Sequence, residues 1–286
     1  MNPLDFTRLT PLMERTRGIP EVTIGLIDGP VALNHPTLAA LKMREISKTQ
    51  TSACNDSNSM ACLHGTLVAG VLYSISPGCT FLLRPIFNAV ATSSEALPSA
   101  TPEELATAIV DTVKAGARVI NMSVALAHPS SRGERALEEA LDYAVARGVI
   151  IVAAAGNQGT LGSTAITRHA WVIPVAACDL RGRPMDHSNL GSSISKRGLC
   201  GPGDGVMSLN AQGGTQAFGG TSAATPFVTG TMALLWSEFP AATATDIRHA
   251  VVQSHPARRA TLVPPVLDAW AAYQAMNMKQ TRRVRS

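Results

Sequence analysis

Charge and aromatic side chains are scarce in this sequence. Of its 286 residues only 15% are Asp, Glu, Lys or Arg and 4% are Phe, Trp or Tyr, against 45% hydrophobic. A charged fraction so far below the usual quarter, beside an ordinary hydrophobic share, excludes a disordered polyelectrolyte. No apolar run approaches the ~18 residues that a membrane-spanning helix needs, so no membrane partner is expected. Residues 1–20 lack a basic start followed by an apolar core, which argues against a secretory signal. No broad charge excess exists either. The net charge of +4 belongs to Lys279, Arg282, Arg283 and Arg285; without those four, 20 basic residues face 20 acidic ones. A neutral body offers no electrostatic footprint for nucleic acid. Cysteine is sparse as well. Cys54, Cys62, Cys79, Cys178 and Cys200 form an odd, scattered set, which favours a reducing, cytoplasmic setting with mostly free thiols. Cys54 and Cys62, with His64 near, leave open a disulfide or a metal site, although the spacing matches no zinc pattern.

What is present is alternation. Val22–Ile27, Phe81–Leu83, Arg118–Met122, Val149–Ala155 and Trp171–Ala177 are apolar runs of strand length. Pro174 inside the last of them points to an edge strand or a bulge. Between the runs lie segments of helical period. Pro102–Ala115 has Pro at its start, Glu103 and Glu104 in its first turn and Gly116 after it. Glu134–Arg147 places Leu137, Leu141, Ala144 and Val145 on one face. Ser222–Trp236 is small and apolar nearly all round, as a central buried helix would be. Such alternation predicts an α/β fold, a mostly parallel central sheet with helices on both faces. The stretches 47–59, 91–99 and 210–219 read as linkers too short to separate domains.

Four segments end an element on a polar side chain. Asp28 follows the first strand, where ligands gather in open α/β sheets. His64 opens His-Gly-Thr-Leu-Val-Ala-Gly, Asn157 closes Ala-Ala-Ala-Gly-Asn, and Ser222 lies in Gly-Gly-Thr-Ser-Ala-Ala-Thr-Pro at the start of the buried helix. Backbone N–H groups at such a helix start favour a developing oxyanion. Singly each has an ordinary reading: a turn carboxylate, a helix-end histidine, a left-handed turn residue, an N-cap serine. Together, in the order Asp, His, Asn, Ser, they carry more.

These segments resemble the subtilisin-like serine proteases, over roughly residues 20–255. The resemblance implies a three-layer, subtilisin-like fold spanning residues 20–278, with an N-terminal extension at 1–19 and a basic tail at 279–286. It implies Ser222 as nucleophile, His64 as general base, Asp28 as the group that orients it, and Asn157 as oxyanion donor. Ser123, Val124 and Ala125, with Ala154, Ala155 and Gly156, are the implied substrate-binding residues. The expected partner is a peptide or unfolded protein, with no cofactor and no metal.

Three departures refine this expectation. The interval Leu72–Gly78 is too short for the calcium loop of secreted subtilisins. Ala125 stands where the family's substrate strand usually carries glycine. Only 27 residues precede Asp28, few for a folded pro-domain. A narrower resemblance, in Phe81–Phe87, Leu141–Gly159 and Pro174–Gly191, is to subtilases that trim precursor peptides in cyanobactin-type pathways. The reading is therefore a selective processing endopeptidase acting through an acyl-enzyme. The alternatives are a general intracellular subtilase, a non-catalytic peptide-binding subtilase fold, or a ligase, which the absence of an evident lid insertion disfavours.

His35, His128, His169, His187, His249 and His255 read as surface or capping residues, and Asp186–Asn189 as a turn. Leu4–Arg17 is expected to pack as a helix on the body, or else to cover the cleft. Pro265–Met278 reads as an amphipathic helix packing through Leu267, Trp270, Ala271 and Tyr273. The basic tail reads as solvated, or as a tether for an acidic segment of a precursor.

Overall fold

In the computed structural model of the chain, residues 2–39, 41–46, 54, 59–86, 100–124, 134–253 and 261–285 are described. The order of elements is α1 (Pro3–Phe6), α2 (Thr10–Arg15), β1 (Thr23–Asp28), β2 (Met43–Glu45), α3 (Met60–Ile75), β3 (Thr80–Pro85), α4 (Pro102–Lys114), β4 (Val119–Met122), α5 (Arg135–Ala146) and β5 (Ile150–Ala154). There follow α6 (Ala165–Arg168), β6 (Ile173–Cys178), α7 (Ser192–Arg197), β7 (Leu199–Pro202), β8 (Val206–Leu209), β9 (Thr215–Phe218), α8 (Gly220–Glu238), α9 (Ala244–Gln253) and α10 (Ala269–Arg285).

Among the described residues β1–β7 form one seven-stranded parallel sheet in the order β2-β3-β1-β4-β5-β6-β7. Its strands read as near-continuous apolar runs because both faces are covered. Alternate side chains divide between two cores. Ile24, Leu26, Val119, Ile150, Val152, Ile173 and Val175 pack with α3 and α8, whereas Ile27, Ile120, Met122, Ile151 and Ala153 pack with α4 and α5. The α4 boundary follows from its capping box, in which Thr101 Oγ1 accepts from Glu104 N and Glu104 Oε2 accepts from Thr101 N. The order reverses at β1: the chain first builds β2 and β3 on one side, then β4 onward on the other. The crevice beyond the carboxyl ends of β1 and β4 is thus the topological switch point where α/β sheets hold ligands.

Three expectations change. Pro174 lies in an interior strand, since β6 is flanked by β5 and β7. Val175 O accepts from Ala155 N, on the β5 side, so the nitrogen of Pro174 faces β7, where the paired register begins only at Val175. No ladder hydrogen bond is lost there. The stretch 210–219 is no linker: with β8 it forms a two-stranded antiparallel hairpin, whose turn is closed by Asn210 Oδ1 accepting from Gln212 N and Gly214 N. His35, read as a surface or capping residue, is buried and bonds that turn through Nε2 and Gly214 O.

Residues 3–19 pack on the body and do not cover the cleft. Leu9 and Leu12 are fully buried in the larger core, Arg15 pairs with Glu238 at 2.9 Å, and Ile19 N donates to Ser237 Oγ. Those contacts lie at the C-terminal end of α8, about 24 Å along the helix from Ser222 at a rise of 1.5 Å per residue. At the other end of the chain, α10 continues to Arg285, and Lys279 pairs with Asp246 of α9. Leu267 and Tyr273 are buried as expected, with Trp270 stacked on Tyr273.

Replacing Leu12 tests this docking. Leu12→Ala should cost about 2–5 kcal/mol by opening a cavity and lower the thermal midpoint, while peptide cleavage per active site stays at the wild-type rate. Faster cleavage by the variant would instead mark residues 3–19 as an inhibitory cover.

Candidate active site

Three strand ends and two helix starts converge at the switch point. Asp28 ends β1 and is fully buried. His64 lies in the second turn of α3, also buried, and its Nδ1 is 2.6 Å from Asp28 Oδ1. That oxygen also accepts from Gly29 N at 2.6 Å. The approach of α3 to the end of β1 leaves no room for side chains. A Cβ at Gly65 would lie 2.3 Å from Gly29 O, and one at Gly29 would lie 2.0 Å from Ala61 O. This backbone contact explains why glycine follows both Asp28 and His64. Burial alone would push the His64 imidazolium toward its neutral form, but the charge and hydrogen bond of Asp28 outweigh it. The pKa of His64 is therefore raised above its ordinary 6.5. Phe218, at the end of β9, meets the His64 ring edge-on at 5.6 Å.

Cys62 precedes His64 in the same helix and forms a disulfide with Cys54, with 5.4 Å between their Cα atoms. Both thiols are thereby consumed and His64 Nδ1 is engaged by Asp28, so the metal-site alternative for these residues is overturned. Cys79, Cys178 and Cys200 are free and buried.

Ser222 sits in the first turn of α8. Its Oγ donates to Ser123 O at 3.1 Å, and Ser123 Oγ donates back to Ser222 O at 3.2 Å. The second bond has a cause in the sequence. A helix would normally pair Ser222 O with the N–H four residues on, but that residue is Pro226, which has none. The carbonyl is left for Ser123. Ser123 is held in turn by Asn121, whose Nδ2 donates to Ser123 Oγ at 2.9 Å and whose Oδ1 accepts from Thr229 Oγ1 at 2.9 Å. A fully buried chain of side chains thus ties the end of β4 to α8. Sequence reasoning missed Asn121 and Thr229; a buried amide within an apolar strand was the available signal.

Asn157 follows β5. Its Oδ1 accepts from Thr221 N at 2.9 Å and from Thr221 Oγ1 at 3.0 Å, which fixes the amide with its oxygen toward α8. Of the six residues expected to bind substrate, Ala125 lies outside the described residues. Ser123 and Val124 follow the last residue of β4, Met122, and Ala155 and Gly156 follow the last residue of neighbouring β5, Ala154. Ala155 and Gly156 have their backbone groups engaged internally. Ala155 N donates to Val175 O, Gly156 N to Thr221 Oγ1, and their carbonyls accept from Asn189. Both residues are buried. The structure therefore sets Asp28 at the end of β1, His64 near the start of α3, and Asn157 on Thr221, the residue before Ser222 in α8. It joins Asp28 to His64 directly, and it pairs Ser222 with Ser123 rather than with His64.

Comparison with known proteins places this geometry. The profile of the subtilase family matches residues 20–275. Subtilisin DY of Bacillus licheniformis is 31% identical over 235 residues, which cover 80% of this chain and 81% of that protein. Among solved structures, the protease domain of PatA superposes with a TM-score of 0.83 at 29% identity, over 92% of this chain and 97% of that one. The prenylagaramide maturation protease PagA gives 0.80 at 27% identity, over 94% and 98%. The chain belongs to the subtilase family and is a subtilisin-like serine peptidase.

Proposed function

We propose that Ser222 is the nucleophile, His64 its general base, Asp28 the group that holds His64 in its productive tautomer, and Asn157 a donor to the oxyanion. The observation that carries this is the buried 2.6 Å contact between Asp28 and His64. With Nδ1 bound to a carboxylate, His64 is fixed as the tautomer whose Nε2 is free to accept a proton. His64 Nε2 is buried and has no hydrogen-bond partner among the described residues. In the resting arrangement Ser222 Oγ is bonded to Ser123 O, so attack requires rotation of its side chain toward His64. A substrate backbone N–H that donates to Ser123 O would displace Oγ and favour that rotation.

The reaction then follows from the groups. His64 takes the proton of Ser222 as Oγ attacks the peptide carbonyl, and the carbonyl oxygen becomes an oxyanion facing Asn157 Nδ2 and the backbone N–H of Ser222. His64 returns the proton to the leaving amine, and water repeats the sequence on the acyl-enzyme. The substrate class we assign is a precursor peptide cut at a defined motif, as in cyanobactin-type maturation. The support for it is the likeness to PagA, described as a prenylagaramide maturation protease, and to PatA.

A fluorophosphonate probe should label the wild-type protein and not Ser222→Ala; folded wild type that stays unlabelled would overturn the assignment. Cleavage of a randomised peptide library, read by mass spectrometry, should yield a narrow motif, and cleavage without preference would remove the processing role. Because the His64 pKa is raised, kcat/KM should fall as pH is lowered, with a midpoint above His64's ordinary 6.5. Asp28→Asn removes the cause of the raised value. It should move that midpoint down and lower kcat about 10⁴-fold; an unmoved midpoint would contradict the role given to Asp28. Asn157→Ala should lower kcat about 10²- to 10³-fold, and kcat within twofold of wild type would refute the oxyanion assignment.

A further inference from the structure

Residues 155–160 carry Asn157, and one distant side chain gathers their polar groups. Asn189 is buried, although the segment Asp186–Asn189 reads in sequence as an ordinary turn. Its Nδ2 donates to Ala155 O at 3.1 Å and to Gln158 Oε1 at 2.7 Å. Its Oδ1 accepts from Gln158 N and from Thr160 N, each at 3.0 Å. Its backbone N–H donates to Gly156 O at 2.9 Å. The two backbone N–H groups dictate which end of the amide is oxygen. A short neutral side chain with two donor hydrogens and two acceptor lone pairs is needed to meet all four groups, and Asn supplies it.

These bonds bracket Asn157. Ala155 and Gly156 are held on one side of it, Gln158 and Thr160 on the other. Asn157's own side chain is gripped at Oδ1 by Thr221, immediately before the nucleophile. Gly156 has φ +106°, and a Cβ there would fall 2.3 Å from Asn189 Nδ2, so a side chain at that position would expel the amide. The arrangement fixes the backbone of the donor from the sheet side and its side chain from the helix side. An oxyanion donor stabilises the transition state only when it is pre-placed, because realignment during reaction costs part of the gain.

We propose that Asn189 is a positioning residue for the oxyanion donor: it holds the 155–160 turn so that Asn157 Nδ2 points at the developing charge. Ser188, its neighbour, serves the fold instead, with its Oγ accepting from Ala177 N in β6. Asp186 and His187 are exposed; His187 adds a backbone tie, its carbonyl accepting from Gly159 N at 2.7 Å, whereas the side-chain hold on the turn comes from Asn189.

This inference rests on the assignment of Asn157 above, and a double-mutant cycle separates the two. Wild type, Asn189→Ala, Asn157→Ala and the double variant are assayed on a peptide p-nitroanilide chosen from the library cut sites. Rates are normalised to active Ser222 by fluorophosphonate titration, so loss of folded protein does not enter. Asn189→Ala should lower kcat about 10- to 100-fold with KM within about twofold, as expected for a displaced transition-state contact. In the Asn157→Ala background the same change should cost about twofold or less, because the donor it positions is gone. Asn189→Ser, which keeps one hydroxyl for one of the two N–H groups, should lose less and show the same dependence on background. An equal fold-loss in both backgrounds, or a lower thermal midpoint with unchanged kcat, would make Asn189 merely structural. Wild-type kcat in Asn157→Ala alone would overturn the oxyanion assignment, and the positioning role with it.

Discussion

The contact between Asp28 and His64 is the constraint on which the crevice depends. A carboxylate with no exposure to solvent is tolerable only when it is paired, and its partner here comes from a different layer of the fold. Removing one member of such a buried pair typically costs about 3–5 kcal/mol, because the other charge is stranded. The pair also sets the proton affinity of the imidazole, since the charge and hydrogen bond of Asp28 raise the pKa of His64. Stability and the protonation of His64 thus draw on one interaction. Asp28 Oδ2 and His64 Nε2 are buried without hydrogen-bond partners among the described residues.

The remaining parts of the site are arranged by what α8 cannot do for itself. Its proline leaves Ser222 O without a helical donor, and Ser123 fills the place. Its first N–H groups lack intrahelical acceptors, and Thr221 N finds Asn157 Oδ1. Two defects of an ordinary helix thereby become the two attachments that tie α8 to Ser123 after β4 and to Asn157 after β5. Asn121 and Thr229 extend the first attachment into the core, so a change deep between sheet and helix would be felt at Ser222. The disulfide between Cys54 and Cys62 adds a covalent tie beside His64.

Much of this was legible from residue order. The strands β1, β3, β4, β5 and β6 and the helices α4, α5 and α8 followed from apolar runs, caps and period, because each carries its own local signal. The short strands β2 and β7 did not, since Met-Arg-Glu is polar and largely outside the core and Leu-Cys-Gly-Pro ends on a turn-like Gly-Pro. The stretch 210–219 reads as a linker because Gly213, Gly214 and polar neighbours dominate it, yet it holds the turn and second strand of the β8–β9 hairpin and delivers Phe218 to His64. The prospects for Pro174 were misjudged for a related reason. A proline is excluded from a ladder only on the side its nitrogen faces, and that side depends on register.

Sequence alone determined which chemical groups this protein owns: a carboxylate, an imidazole, an amide and a hydroxyl, each at the end of an element and in a recognisable order. It also determined the fold class, because hydrophobic pattern and capping are properties of nearby residues. Tertiary structure decided how those groups face one another. It joined Asp28 to His64, set Ser222 on Ser123 and drew Asn189 under Asn157. These contacts link residues tens to a hundred positions apart, and their geometry is fixed by backbone approach and by unpaired donors and acceptors, which exist only once the layers have packed.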